Sequence, residues 1–253
     1  MRDYATAQNI GGRSAQCDAT AVRSGRDGVR AFALLDGIGS STEVREWTRR
    51  AAVQLATAAA RRGDAEAGLR AVYDRYAADP DRQDPYLRRY MPSAAAVVAV
   101  TRPGQPLMVA WCGDCRAYLL QRGIVRRLTE DHNLRRVYPP TATFPDGGNR
   151  NVITSYLGSP ATDEDARNEY NHPAIETGTV RLTGTARLLL ASDGAYEPHE
   201  EAGHDLYVEL DDDPLTRTVR DFVDLAADTA RKALPAEDHR YVDNATALVA
   251  DLF

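Results

Sequence analysis

The sequence predicts an α+β fold with antiparallel sheets, and three observations predict it. Apolar runs of strand length come in clusters instead of alternating singly with helices. Four of these runs follow one another closely: Ala94–Val100, Leu107–Trp111, Arg116–Gln121 and Ile124–Leu128. Turn residues separate them, Pro103-Gly104 and Arg122-Gly123 among them, and short links between successive strands imply antiparallel pairing. The long helical patterns stand between the strand clusters as singles or pairs.

Taken in chain order, Ala31–Leu35 reads as a buried strand running into Asp36-Gly37. Ser40-Ser41-Thr42-Glu43 offers a capping box, with Ser40 as N-cap and Glu43 at the third helical position. Val44, Trp47, Ala51, Leu55 and Ala58 follow at helical spacing, and Gly63 is the stop. A second helix covers Ala65–Tyr76, with Leu69, Val72, Tyr73 and Tyr76 on one side. Asp79–Pro92 carries Pro80, Pro85 and Pro92 and reads as a loop. After the strand cluster, Glu130–Gly148 is polar, proline-bearing and glycine-ended, and reads as a surface segment. Arg187–Ala191 is a further strand, leading into Ser192-Asp193-Gly194. Asp213-Pro214 opens the clearest helix, as N-cap and first-position proline, ahead of Leu215, Val219, Phe222, Val223, Ala226 and Ala230. Asp243-Asn244 precedes a last strand, Ala245–Leu252. No repeat or linker divides the chain, so residues 1–253 are expected to form a single domain.

Composition narrows the function. Hydrophobic residues are 43% and charged residues 27%, the balance of an ordinary globular protein, which excludes disorder, collagen and coiled coil. The net charge of −6 argues against a general nucleic-acid binder. No apolar run approaches the roughly 20 residues of a membrane span, and the polar start is not a secretion signal, so the expected compartment is the cytoplasm. Three cysteines, an odd number, argue against a disulfide framework.

The informative feature is a repeated placement of acid. Asp36, Asp114, Asp193 and Asp243 each sit at or beside the end of an apolar strand. Carboxylates beside core strands are costly to desolvate unless paired or metal-bound. If these strand ends meet, their repulsion calls for a cation, and Mg²⁺ or Mn²⁺ suits all-oxygen ligands. Asp-Gly is also a plain turn signal, which suffices for Asp27-Gly28 and Asp146-Gly147.

The order of motifs resembles the metal-dependent serine/threonine protein phosphatases of type 2C, especially their compact bacterial members. Arg13-Ser-Ala-Gln-Cys17-Asp18 resembles the family's Arg-x-x-x-Glu-Asp, and Asp36-Gly37-Ile38-Gly39 its Asp-Gly-x-Gly. Gly113-Asp114-Cys115-Arg116-Ala117-Tyr118 resembles Gly-Asp-Ser-Arg-Ala-Tyr, and Leu128-Thr129-Glu130-Asp131-His132 resembles Leu-Thr-x-Asp-His. Ser192-Asp193-Gly194 and Asp243-Asn244-Ala245-Thr246 complete the set, which runs nearly the whole chain in the family's own order. The resemblance implies a four-layer α-β-β-α sandwich of two antiparallel sheets flanked by helices. It also implies hydrolysis of phosphoserine or phosphothreonine in proteins at a water-bridged pair of Mn²⁺ or Mg²⁺ ions. By it Asp36 bridges both ions, the Gly37 carbonyl reaches one, and Asp193 and Asp243 hold the other. Asp114 serves a third, weaker ion beside Asp193, Asp18 orients the water and Arg13 grips the phosphate. The implied partners are phosphorylated proteins and a serine/threonine kinase.

The chain departs from the family at named positions. Cys17 stands where a glutamate supports the second metal, and a soft thiol suits Mg²⁺ poorly. Ile38 replaces a histidine that some members use as general acid, Pro92-Ser93-Ala94-Ala95 replaces Gly-Ser/Thr-Thr-Ala, and Asn133 replaces Ser or Thr. Glu197 stands where the family has an acidic third-metal ligand. A degenerate member that binds phosphoproteins without turnover is therefore the alternative, although Arg13, Asp18, Asp36, Asp193 and Asp243 all remain. A remoter alternative is a thiol redox protein, since Trp111-Cys112-Gly113-Asp114-Cys115 resembles a thioredoxin-type motif. That chemistry needs a helix after the first cysteine, and a strand, a turn and a strand follow here. His132 reads as a loop residue satisfying backbone groups, and His172, His199, His204 and His239 as solvated. The Asp211-Asp212-Asp213 run reads as a solvated helix entrance, and Asp163-Glu164-Asp165 as loop surface.

Overall fold

The computed structural model describes residues 3–211 and 214–252. The strands among them are β1 (Tyr4–Asn9), β2 (Ala19–Ser24), β3 (Arg30–Gly37), β4 (Ala94–Thr101), β5 (Leu107–Cys112), β6 (Arg116–Gln121), β7 (Ile124–Arg127), β8 (Glu176–Val180), β9 (Ala186–Ala191) and β10 (Ala245–Leu252). They form two five-stranded antiparallel sheets, one in the order β1-β10-β9-β6-β7 and the other β2-β3-β4-β5-β8. The helices are α1 (Thr42–Arg62), α2 (Ala65–Ala77), α3 (Pro80–Gln83), α4 (Leu134–Val137), α5 (Asp163–Tyr170), α6 (Asp193–Ala202), α7 (Leu206–Leu210) and α8 (Leu215–Ala233).

Side-chain alternation builds the layers. Along β3, Phe32 and Leu34 face the other sheet, while Ala33 and Leu35 face α1 and α2. Both faces of that strand are covered, so its sequence is an unbroken apolar run. Leu55 of α1 and Leu69 and Val72 of α2 close the outer face of the second sheet. Leu119, Leu188 and Leu248 fill the seam between the sheets. Val219, Phe222 and Val223 of α8, with Tyr196 of α6, close the outer face of the first. The result is the four-layer α-β-β-α sandwich.

Several local expectations shift. The N-cap of α1 is Ser41, whose hydroxyl accepts from the Val44 N–H at 3.2 Å, so the cap lies one residue later than Ser40. Gly63 ends the helix in the left-handed conformation, as expected. Residues 79–92 are more than a loop. Asp79 caps α3 with Pro80 in its first turn, and a 3₁₀ turn spans Leu87–Tyr90; the prolines punctuate short helices there and do not exclude them. The Asp163 run is the first turn of α5, fixed by a Thr162–Asp165 capping box. Pro214 is the N-cap of α8, not its first helical residue, while Asp213 and Asp212 lie outside the described residues.

Residues 130–148 are only partly surface. Asn133 caps α4 by accepting from the Arg136 N–H, and His132 and Asn133 are buried. His172 and His199 are also buried, not solvated. The rings of His132 and His172 stack at 4.2 Å, and His172 Nε2 pairs with the Thr154 hydroxyl at 2.8 Å. His199 Nε2 lies 2.9 Å from the Phe222 carbonyl. Burial holds His132 and His199 down to about 4, so both are neutral at physiological pH. Finally, the short β5–β6 link does not join neighbours in one sheet: β5 is in the second sheet and β6 in the first, so residues 113–115 cross the seam. Among the described residues no helix is long and apolar enough to cross a membrane.

Candidate metal centre

The four strand-end aspartates come to one cavity of about 470 Å³, lined by Asp36, Asp114, Asp193 and Asp243 together with Arg13 and Glu197. Each arrives on a different element. Asp36 is in the last turn-ward step of β3, opposite Ala95 of β4. Asp114 rides the link across the seam, Asp193 is the first residue of α6 after β9, and Asp243 stands just before β10. The β9 and β10 ends are tied by the Ser192 N–H, which donates to the Thr246 carbonyl at 3.0 Å. Gly194 is required there, since a Cβ would meet the Asn244 carbonyl oxygen at 2.3 Å. The Asn244 amide clamps the opposite wall: its Oδ1 accepts from the Cys17 N–H at 2.7 Å and its Nδ2 donates to the Ile10 carbonyl at 3.0 Å. That places the loop bearing Arg13 and Asp18 against Asp243. Arg13 Nη2 donates to Asp243 Oδ2 at 2.6 Å.

Electrostatically the cavity is a crowd of carboxylates. Burial, then the charges of Asp18, Asp193, Asp114 and Asp243, hold the Asp36 carboxyl well above its ordinary range. Burial and then Asp193 do the same to Asp114, and burial and then Asp243 raise Asp193. The Asp36 and Asp193 carboxyls lie within hydrogen-bonding reach of each other. Asp18 is buried behind the cavity. Its Oδ2 accepts from the Ser192 hydroxyl at 3.0 Å, while its buried Oδ1 has no partner. Burial pushes this carboxyl up to about 8, against the pull of hydrogen bonds from Thr246 and Ser192. Glu197 is pushed up to about 7 by burial and Asp193, with Arg150 opposing.

Whether these residues suit a divalent cation is decided by the donor set. Oxygen atoms alone face the cavity from the acidic side chains, one buried carboxylate oxygen of Asp18 is orphaned, and ionisation of the group is opposed by mutual repulsion. A hard cation answers all three. Among the described residues, however, no three His, Cys, Asp or Glu side chains are arranged to ligate one ion as they stand. Asp36 is turned to Asp193, and Asp243 to Arg13.

Cys17 does not line the cavity. It is buried, and its thiol faces the Ser41 carbonyl at 3.6 Å. Burial, then Asp18, raises its pKa, so it is a neutral thiol. Cys112 and Cys115 do not make a redox pair. Gly113 bends the chain with a φ of +105°, yet Cys112 packs on the helical side of the second sheet and Cys115 in the seam. Burial drives Cys112 up to about 12 and Cys115 well above its ordinary value. A thiol reagent added to the folded protein near neutral pH is expected to find no reactive cysteine, and all three after denaturation. Reversible loss of two thiols in the folded protein would restore the redox reading.

Reading the sequence missed Arg150 and Asn151, which line the same cavity. Arg150 Nη2 reaches Glu197 at 3.1 Å and Glu201 at 2.5 Å. The signal was an arginine in the otherwise uncharged Gly147-Gly148-Asn149-Arg150-Asn151 stretch, just past the expected surface segment. Arg116, read only as part of a motif, is a buried strut: it forks onto Asp131 at 2.9 and 2.8 Å, pairs with Glu200 at 2.6 Å and stacks 3.7 Å over Tyr196.

A family model described as "Protein phosphatase 2C" matches residues 7–137. No curated protein matches the chain by sequence. Among solved structures, the serine/threonine phosphatase of S. agalactiae is similar over 98% of each chain, at 20% identity and a TM-score of 0.69. MsPP, a PPM Ser-Thr phosphatase of Mycobacterium smegmatis, covers 99% of this chain and 98% of its own at 22% identity and a TM-score of 0.67. PppA of Pseudomonas aeruginosa, described as a key regulatory component of T6SS, covers 97% and 96% at 21% identity and a TM-score of 0.65. At these identities the likeness speaks to the fold.

Proposed function

The chain belongs to the protein phosphatase 2C family, and from that premise we propose that it is a Mn²⁺- or Mg²⁺-dependent phosphatase of phosphoserine and phosphothreonine in proteins. The observation that carries the reading is the convergence of Asp36, Asp114, Asp193 and Asp243 with Arg13 on one cavity. In this reading residues 1–253 are one catalytic unit, and its substrates are phosphoproteins made by a serine/threonine kinase.

Asp36, the Gly37 carbonyl, Asp193 and Asp243 would hold two ions, and Asp114 with Glu197 a third. Bound divalent cations supply positive charge to offset the phosphomonoester dianion and make water acidic enough to attack near neutral pH. The protein does the positioning. Arg13, half-exposed at the cavity wall, presents a guanidinium fork to the phosphate oxygens and relinquishes part of its hold on Asp243 to do so. Asp18, with one oxygen fixed by Ser192 and the other unpartnered, accepts a hydrogen bond from the attacking water and fixes its direction. Water oxygen bonds to phosphorus as the bond from phosphorus to the serine or threonine oxygen breaks. Ile38 brings no proton to that leaving oxygen, so solvent supplies it. The test is hydrolysis of a phosphothreonine peptide across a Mn²⁺ titration. Turnover that rises with Mn²⁺ and stops with chelator supports the reading; metal-independent turnover, or none at any Mn²⁺ concentration, overturns it.

Cys17 favours the second reading, a phosphoprotein-binding member with little turnover, because a neutral buried thiol adds no charge for a cation. Cys17→Glu bears on it directly. The change is expected to tighten Mn²⁺ binding about tenfold, the scale of a supporting ligand, and to raise turnover at low metal. Unchanged affinity in a calorimetric titration would mean that position 17 has no part in holding the ion.

A further inference from the structure

A second groove, of about 490 Å³, leaves the catalytic cavity past Ile38, Asn151 and Ile153, which line both. Its charge is unlike the rest of the molecule. The chain carries a net −6, and the cavity next door is a cluster of carboxylates. The groove is lined by three arginines, Arg82, Arg88 and Arg89, and by no aspartate or glutamate. Arg82 is 2% exposed and rests on Trp47 and Tyr76, with its ring-facing guanidinium 5.4 and 5.6 Å from their centroids. Its Nη atoms donate to the carbonyls of Gly158 and Pro92, at 2.8 and 2.6 Å, and its buried Nε has no partner. Asp79 is the carboxylate whose charge acts on it, without an ion pair. Among the described residues Arg88 and Arg89 make no ion pair either. The nearby Asp84 is engaged elsewhere, accepting from the Tyr86 N–H at 2.7 Å and the Leu87 N–H at 3.2 Å.

Apolar surface accompanies the cations. Ile38 is 44% exposed at the mouth shared with the cavity, and Val152 is 43% exposed on the far wall. Tyr86 and Tyr90, on the turn that bears Arg88 and Arg89, are 66% and 71% exposed. The shared mouth is a fixed edge: the Ile38 N–H donates to the Ser93 carbonyl at 2.9 Å.

We propose that this groove docks the segment of the phosphoprotein substrate that flanks the phosphorylated residue, and that it selects segments carrying aspartate or glutamate with an adjacent large apolar side chain. The inference rests on the phosphatase reading for the identity of the occupant. Charge complementarity and continuity with the cavity argue for it. A phosphoresidue in the cavity places its neighbours at steps of about 3.3 Å in extended chain, so residues two to five positions away lie along the groove. Arg88 and Arg89, with the buried charge of Arg82 behind them, steer an acidic segment there, and Ile38 and Val152 bury its apolar member.

The test is fluorescence anisotropy with labelled peptides bearing a non-hydrolysable phosphonate in place of phosphothreonine. One series carries an Asp/Glu-Leu cluster two to five residues before or after the phosphonate; the other carries Lys and Ser there. Wild-type protein is expected to bind the better acidic–apolar peptide at least tenfold more tightly than its basic counterpart. The Arg88→Glu/Arg89→Glu variant, folded by its thermal melt, is expected to lose or reverse that preference. In wild type, raising salt should weaken the acidic peptide and leave the basic one little changed. Equal affinities in wild type, or a preference that survives in the variant, would overturn the proposal. So would a dimer in sedimentation that the double change abolishes, because a second copy of the chain would then cover the groove. Hydrolysis of p-nitrophenyl phosphate by the wild-type protein with Mn²⁺ is measured beside these. Its absence counts against the phosphatase reading alone, because the binding arms decide the groove without turnover.

Discussion

Asp193→Ala is expected to lower Mn²⁺-dependent hydrolysis of a phosphothreonine peptide by about a thousandfold, the scale of losing a preorganised electrostatic group. Asp193 sits where β9 gives way to α6, within hydrogen-bonding reach of Asp36 and coupled to Asp243. Folding should survive the change, since removing one charge from a crowd of like charges relieves repulsion. A metal-free melting temperature equal to or above that of wild type is therefore part of the expectation. Asp193→Asn, run in parallel, keeps the oxygen that accepts from the Gly194 N–H at 2.6 Å and loses only the charge. If both variants bind Mn²⁺ and turn over like wild type, Asp193 holds no ion and the proposed centre is wrong.

The second large effect is on stability, and its sign follows from the protons bound. Asp18 binds its proton more tightly in the folded protein, up to about 8, and Glu197 up to about 7. Above the ordinary carboxylate range of about 4 the unfolded chain has released these protons while the folded protein retains them, so stability falls as pH rises through the folded values. Below about 6.5 the neutral His132 and His199, both held near 4, act in the opposite direction: the unfolded imidazoles take up protons that the folded ones do not. The clear window is therefore about 6.5 to 8. Chelator-treated protein is expected to melt at progressively lower temperature across it. Mn²⁺ at about a hundred times its dissociation constant contributes about 2.7 kcal/mol per site, which for a chain of this size is a rise of about 5–10 °C. Melting temperatures flat with pH and untouched by Mn²⁺ would mean that the carboxylates do not act as one group.

The α+β class and the acid at the strand ends were legible because they rest on local patterns, while the layering into a sandwich came only through the family resemblance. The apolar run of β3, the helical spacing around Leu55 and around Leu69, and each Asp-bearing strand end are patterns contained within a few residues. What the sequence hid depends on partners distant in the chain. Nothing around residue 112 says that β5 hands over to the other sheet, because a short link looks the same whether it turns back or crosses a seam. His172 and His199 read as solvated since their burial is compensated by Thr154 and the Phe222 carbonyl, 18 and 23 residues away. The prolines of residues 79–92 obscured two short helical turns, and with them the buried Arg82. Ser40 lost the cap to its neighbour Ser41 through a choice between two equivalent hydroxyls that only the backbone path decides.

The position of β10 has a consequence for how the molecule is made. Among the described residues it is the last strand, yet it lies inside the first sheet between β1, the first of them, and β9. β1 is made well before β10 and must wait for its hydrogen-bonding partner, a long loop closure that slows assembly and leaves an open strand edge to be shielded meanwhile. Asp243, at the entrance to β10, reaches the cavity by the same late event. A chain that stops short of β10 lacks Asp243's place in the cavity, and with it part of the acidic cluster.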